Sequence, residues 1–160
     1  AAEDGVIIHA SGAAIAGRGW LFPGRSGAGK STIVGQVMEH QGAVAGISED
    51  RIIVRGRPAP MMFGTPWLGA GGLCHNRCLQ LDCIGFPVQS RDNVLRRLTP
   101  SEALDRLLPA AAIPWFDQAV MGSCLEYLGD LVEQLPAWEV AFALDGGAVP
   151  LMVRESRALV

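Results

Sequence analysis

The run Gly24-Arg25-Ser26-Gly27-Ala28-Gly29-Lys30-Ser31 matches the pattern G-x-x-x-x-G-K-[ST] without a gap. No other stretch constrains the chain as strongly. Its glycines let the backbone curl until successive N–H groups point inward at one anion. A helix directly after the loop offers its positive N-terminal end to the same anion. The pattern therefore calls for an apolar strand, a tight loop and a helix, in that order. The flanks comply. Trp20-Leu21-Phe22 precedes the loop, and Ile33, Val34, Val37 and Met38 share one helical face over 30–40. Lys30 would set an ammonium between the terminal phosphates of ATP, and the Ser31 hydroxyl would hold Mg²⁺. Gly24, Arg25, Ser26, Gly27, Ala28, Gly29 and Thr32 complete the cradle.

Composition supports that reading. Of 13 basic residues, 12 are arginine, and Lys30 is the only lysine. A drift of lysine codons to arginine explains the twelve. It leaves position 30 as the place where a compact, strongly hydrated point charge has work that a guanidinium cannot do. The 160 residues suit one domain, expected over 1–160. A net charge of -3 disfavours a nucleic-acid partner. No apolar run approaches the roughly 18 residues that span a bilayer, so no membrane partner is expected. Four cysteines and no opening signal segment lead us to expect a cytoplasmic protein.

The segments around the loop read as short strands. We expect strands over 5–10 and 13–16, with Ser11-Gly12 as punctuation, and a turn at Gly17-Arg18-Gly19 before Trp20. Further strands are expected over 43–47, 51–55, 61–63 and 78–88. The stretch 64–77 is glycine-rich and reads as a long loop. Thr99-Pro100-Ser101-Glu102 is a helix start, with Thr as N-cap, Pro at the first position and Glu at the third. A second helix is expected over 117–134, and a closing hairpin over 138–144 and 149–153. The fold class expected is α/β, a mixed and largely antiparallel sheet with flanking helices.

A phosphate loop needs a carboxylate partner before it names a reaction. Glu49 and Asp50 follow Lys30 by nineteen and twenty residues, at the end of the element after the loop helix. One would face the metal and the other a substrate hydroxyl; Asp50 is a metal candidate beside Ser31, and either acid could accept the hydroxyl proton. A solvated Ser-Glu-Asp turn is the alternative. The L-S-G-G-Q signature of ABC-type ATPases is absent. The N-K-x-D motif of GTPases is impossible with one lysine at position 30.

The run over 9–53 resembles the catalytic core of the HPr serine kinase/phosphorylase family, and more closely its shorter HPr-kinase-related members. A histidine opens a strand fifteen positions before the first glycine of the loop, as His9 does before Gly24. An acidic pair follows the loop helix, with Glu49 where the family usually has Asp. Gly64-Thr65-Pro66-Trp67 and Leu98-Thr99-Pro100-Ser101-Glu102-Ala103-Leu104 resemble motifs of the shorter members. The resemblance implies the fold of phosphoenolpyruvate carboxykinases. It also implies ATP- and Mg²⁺-dependent phosphorylation of a serine hydroxyl on a peptide or protein, with His9 contacting Glu49 and Asp50. The segment that grips HPr is not recognisable, so the expected acceptor is a different chain, such as a ribosomally made lasso-peptide precursor. Homo-oligomers are common among such enzymes.

Two other functions fit a phosphate loop: a nucleotide-sensing module that transfers nothing, and a small-metabolite kinase. Read without the family, His9 is a strand histidine with a satisfied hydrogen bond. His40 sits at a helix end, where a cation suits the dipole. Cys74, His75, Cys78 and Cys83 lack the close paired hooks of a zinc site. Trp67 either covers a ligand or anchors its loop. Among Arg25, Arg51, Arg55, Arg57 and Arg77, Arg51 is the first candidate to neutralise charge on a transferred phosphoryl group. Trp115, Phe116, Val120, Leu125, Leu128 and Leu131 suit a core or a subunit contact.

Overall fold

The computed structural model describes residues 4–69 and 71–159. Ala70, inside the expected long loop, lies outside the described residues, as do residues 1–3 and 160.

The chain opens with one long strand, β1 (Gly5–Ile15), which turns back into β2 (Arg18–Pro23). The phosphate loop follows and leads into α1 (Lys30–Gln41). A short 3-10 turn (Ala43–Ala45) precedes β3 (Gly46–Ser48), β4 (Arg51–Arg55) and β5 (Met61–Gly64). After the long loop come β6 (Cys78–Gln89), β7 (Val94–Arg97) and α2 (Pro100–Leu107). The chain closes with α3 (Gln118–Gln134), β8 (Ala137–Phe142) and α4 (Ala148–Ala158).

Six of the eight strand pairings are antiparallel; β6 runs parallel to β2 and to β8. The sheet is thus mixed and largely antiparallel, as expected. Its strands run β2-β1-β4-β5-β6-β8-β7, and β2 also pairs with β6. Pairs β2–β1, β1–β4, β4–β5, β5–β6 and β6–β2 therefore close a circuit.

Alternation along the strands divides the core between the two faces. On one face Trp20, Phe22, Val140 and Phe142 pack with Ile33, Val34 and Val37 of α1 and with Val149 and Met152 of α4. On the other, Val6, Ile8, Leu21 and Ile52 pack with Leu107 of α2 and with Leu128 and Leu131 of α3. No helix among the described residues is long and apolar enough to cross a membrane.

The start of α2 is as the sequence implies. Thr99 caps it, and Glu102 reaches back to the Thr99 N–H at 2.9 Å. Three expectations need correction. Ser11-Gly12 does not break the first strand. Ser11 is fully buried, its hydroxyl donates to the Glu49 carbonyl at 2.9 Å, and the irregularity at Gly12 and Ala13 is a bulge within β1. The stretch 43–45 is a 3-10 turn, so the strand begins only at Gly46. The closing hairpin is instead a strand and a helix. Ala148, Val149, Met152 and Ser156 are buried at helical spacing, and Pro150 falls in the first turn, where its missing N–H costs nothing. Strand β7 was not anticipated.

The phosphate-loop strand is tied to that last helix by a buried bond, Trp20 Nε1 donating to Ser156 Oγ at 2.8 Å. Replacing Ser156 with Ala leaves the indole N–H buried and unpaired. Urea titration of Ser156→Ala should show a loss of about 1–3 kcal/mol of unfolding free energy; an unchanged midpoint would count against a structural role for this bond.

Candidate functional site

Three segments converge where β1 changes partners. Its first half pairs with β4 as far as His9↔Arg51, and its second half pairs with β2 from Ala10↔Pro23. The Gly24 N–H donates to the His9 carbonyl at 3.1 Å, and the Ala10 N–H donates to the Asp50 carbonyl at 3.2 Å. The fifteen-residue interval between His9 and Gly24 is therefore the register of the β1–β2 hairpin carried one position beyond Ala10↔Pro23. Hairpin register fixes His9 beside the loop, and the same strand holds the acids opposite.

The loop is built for an anion. Gly27 and Gly29 have φ of +82° and +93°, in the left-handed region that favours glycine. At Gly29 a side chain is excluded twice over, because a Cβ would also stand 2.7 Å from the Phe142 ring. Gly29 caps α1 without any side-chain hydrogen bond, and no acidic residue occupies the first turn. The helix thus presents its first-turn amides to the loop. Lys30 is buried, and its Nζ donates to the Arg25 carbonyl at 2.8 Å across the loop.

A cavity of about 240 Å³ lies over these amides. Ser26, Gly27, Gly29, Lys30, Ser31 and Thr32 form one wall, and His9, Glu49 and Asp50 form another. Gly69 and Gln89 complete the lining. Gly24, Arg25 and Ala28 instead line a second hollow, with Pro23, Phe86 and Pro87.

His9 Nε2 lies 3.3 Å from Asp50 Oδ1. An ionised carboxylate only accepts, so Nε2 carries the proton of that bond. Burial, then the nearby Lys30 charge, lower the His9 pKa below its ordinary value, against the opposing pull of Asp50. The imidazole is therefore neutral at pH 7. Burial likewise lowers the Lys30 pKa, and Asp50 partly restores it. The other Asp50 oxygen is 3.6 Å from Arg51 Nε. Glu49 behaves differently. It is 8% exposed, and its carboxylate turns towards Gly71 and the Leu73 N–H.

Ser31 and Asp50 face one cavity, which fits Mg²⁺. That ion usually keeps several waters and takes one or two carboxylates plus phosphate oxygens. Among the described residues no three His, Cys, Asp or Glu side chains cluster to hold a metal by themselves. Cys83 is buried against the α1 and α4 face, and that burial, with Asp82 adding to it, pushes its thiol up to about 12. Cys74 donates to the Thr65 carbonyl, and Cys78 is exposed.

The remaining arginines are occupied elsewhere. Arg57 pairs with Asp4, Glu126 and Asp130 and lies over the Tyr127 ring, Arg55 lies over Phe63, and Arg77 donates to the Val44 carbonyl. Trp67 is 52% exposed on the long loop, which argues against a role as its anchor. Leu128 and Leu131 are core, whereas Trp115, Phe116 and Val120 are exposed.

Gln89 and Gly69 were not anticipated as site residues. Gln89 had one signal available: it ends an apolar strand, and β6 runs parallel to β2, so both strands deliver their C-terminal ends to the same edge. Sequence alone does not show that pairing.

No protein-family description and no curated protein matches the chain. Among solved structures, the chain is similar to an HPr(Ser) kinase/phosphatase from Coxiella burnetii. The similarity covers 95% of this chain and 96% of that one, at 10% identity and a TM-score of 0.49. Likeness at this level leaves the chemistry to be read from the site.

The charges around His9 make its titration a direct probe of the site. Its NMR-detected pKa should lie below 6.5 in the parent. It should fall further in Asp50→Asn, which removes a raising charge and hydrogen bond, and rise in Lys30→Met, which removes a lowering charge. A His9 that ignores both substitutions does not share the cavity with them.

Proposed function

We propose that the chain is an ATP- and Mg²⁺-dependent kinase that phosphorylates a serine hydroxyl on a peptide or protein. The observation that carries this reading is the shared cavity: a carboxylate, Asp50, braced by a neutral histidine, faces a phosphate loop across its opening. A binding module needs the loop. It has no use for a carboxylate held by an imidazole on the opposite wall.

The loop amides and Lys30 hold the β- and γ-phosphates. Ser31 and Asp50 are the residues that would hold Mg²⁺, which when bound offsets phosphate charge. Asp50 accepts the proton of the serine Oγ as the new P–O bond forms and the bond to the β-phosphate oxygen breaks. Lys30 takes up charge that passes to that leaving oxygen. His9 keeps Asp50 oriented and, being neutral, leaves its negative charge available for the proton. Arg51, whose Nε lies 3.6 Å from Asp50, is the arginine in this reading that would offset charge on the transferred group. Phosphoryl transfer asks mainly for positioning and charge stabilisation, which this arrangement supplies. An acceptor of the precursor-peptide class accords with the sequence resemblance to short HPr-kinase-related kinases.

Incubation with labelled ATP, Mg²⁺ and serine-containing peptides tests the proposal. Lys30→Met should abolish nucleotide binding by calorimetry. Asp50→Asn should retain nucleotide affinity within a few-fold yet lose about 10²–10⁴ in transfer rate. Thermal stabilisation by ATP with no transfer to any peptide would favour the nucleotide-sensing alternative. Turnover of a small polyol would favour a metabolite kinase.

A further inference from the structure

The two neighbouring acids do not share an environment. Asp50 faces His9 and Arg51, whereas Glu49 is driven into the long loop between β5 and β6. A Cβ added at Gly71 would stand 2.4 and 2.5 Å from the two Glu49 carboxylate oxygens, and one added at Gly69 would stand 2.8 Å from Glu49 Cβ. With a side chain at either position Glu49 would have to shift from where it lies. The Leu73 N–H points at Glu49 Oε2 from 3.4 Å. The Gly72 N–H donates to the Gly69 carbonyl at 3.0 Å, so Gly69 and residues 71–73 lie around the carboxylate.

The stem of the loop has anchors of its own. Thr65 Oγ1 donates to the Arg51 carbonyl at 2.7 Å, Leu73 is packed in the core, and the His75 N–H donates to the Ile47 carbonyl at 3.0 Å. Between those anchors, Gly69, Gly71 and the Leu73 N–H come up against the Glu49 side chain. The tip reaches the site, because Gly69 lines the cavity beside Glu49 and Asp50. Trp67 and Leu68, just before it, are exposed.

We propose that Glu49 is a positioning residue: its buried carboxylate is the strut on which residues 71–73 of the long loop are seated, and this seat fixes the acceptor side of the cavity. The role rests on the kinase reading above, and it divides the acid pair. Asp50 meets the reacting hydroxyl, and Glu49 holds the wall that the acceptor passes. A strut needs an oxygen that accepts from Leu73 N–H and fills the space at Gly71. It needs no negative charge, so an amide of the same shape serves.

Hydrogen–deuterium exchange on the protein without nucleotide or peptide reads the strut directly. In Glu49→Ala the amides of 71–73 should exchange about tenfold faster, with 46–48 unchanged, and Glu49→Gln should restore protection. In transfer assays Glu49→Ala should raise the acceptor KM about tenfold with nucleotide affinity within twofold, and Glu49→Gln should return it towards the parent value. Gly71→Ala should reproduce the KM rise in the parent and add nothing in the Glu49→Ala background, since the clash partner is gone. Exchange at 71–73 that ignores Glu49→Ala, or a Glu49→Gln as damaging to kcat as Asp50→Asn, overturns the proposal. Should Glu49→Ala not fold, Glu49→Gln and Gly71→Ala carry the test. If the parent transfers no phosphate to any acceptor, the kinase reading fails, while the exchange result still decides whether Glu49 seats the loop.

Discussion

The point on β1 where one neighbouring strand gives way to another is the constraint on which the site depends. At His9 and Ala10 the backbone turns from β4 to β2, and it spends two hydrogen bonds there on the loop and the acid. The Ser11 hydroxyl adds a third tie, to the Glu49 carbonyl. The separation between phosphate loop and carboxylates is thus set by sheet register rather than by flexible side chains. A slip of one residue would turn His9 to the opposite face and remove the brace on Asp50. The closed circuit of strands resists such a slip, because β2 is held by β1 on one side and β6 on the other.

That rigidity gives the electrostatics their direction. Lys30 and Asp50 line one partly desolvated cavity, where burial lowers the Lys30 pKa and the Asp50 charge opposes that shift. His9 sits between the two influences. Burial and the Lys30 charge outweigh Asp50, so the imidazole stays neutral. A protonated His9 would bind Asp50 as an ion pair and weaken it as a proton acceptor. Placing the ammonium within reach of the imidazole therefore helps keep His9 an uncharged hydrogen-bond donor to Asp50, an indirect contribution of Lys30 beyond any contact with phosphate.

Much of this was legible in the sequence because the relevant signals are local. The loop pattern, the α1 face, the Thr99-Pro100-Glu102 cap and the glycine-rich 64–77 stretch all act over a few residues. The misreadings share a different cause. Ser11-Gly12 has the composition of a turn, but a long-range partner, the Glu49 carbonyl, satisfies the serine inside a strand. Strand β7 carries Arg96 and Arg97 on the sheet edge, where charge discourages further pairing and also hides the alternation that marks a strand. Over 148–153 an apolar run is compatible with either period, and only packing against the sheet selects a helix. Gln89 enters the site through a parallel pairing between segments about sixty residues apart, which no local pattern encodes.

The acid pair shows how two adjacent acids can be divided between different surroundings. Glu49 and Asp50 lie in the bend between β3 and β4, where neighbouring side chains can leave in different directions. Here β3 ends at Ser48, and the next two side chains go to different partners, Glu49 to the glycine loop and Asp50 to His9. Side-chain length then decides the fit. Glutamate places its carboxylate one methylene further from the backbone, within the space that Gly69 and Gly71 leave vacant. An aspartate at position 49 would stop short of Leu73 N–H and leave a gap beneath the loop tip. The glutamate and the two glycines therefore fit together as one arrangement, although the glycines follow Glu49 by twenty and twenty-two residues.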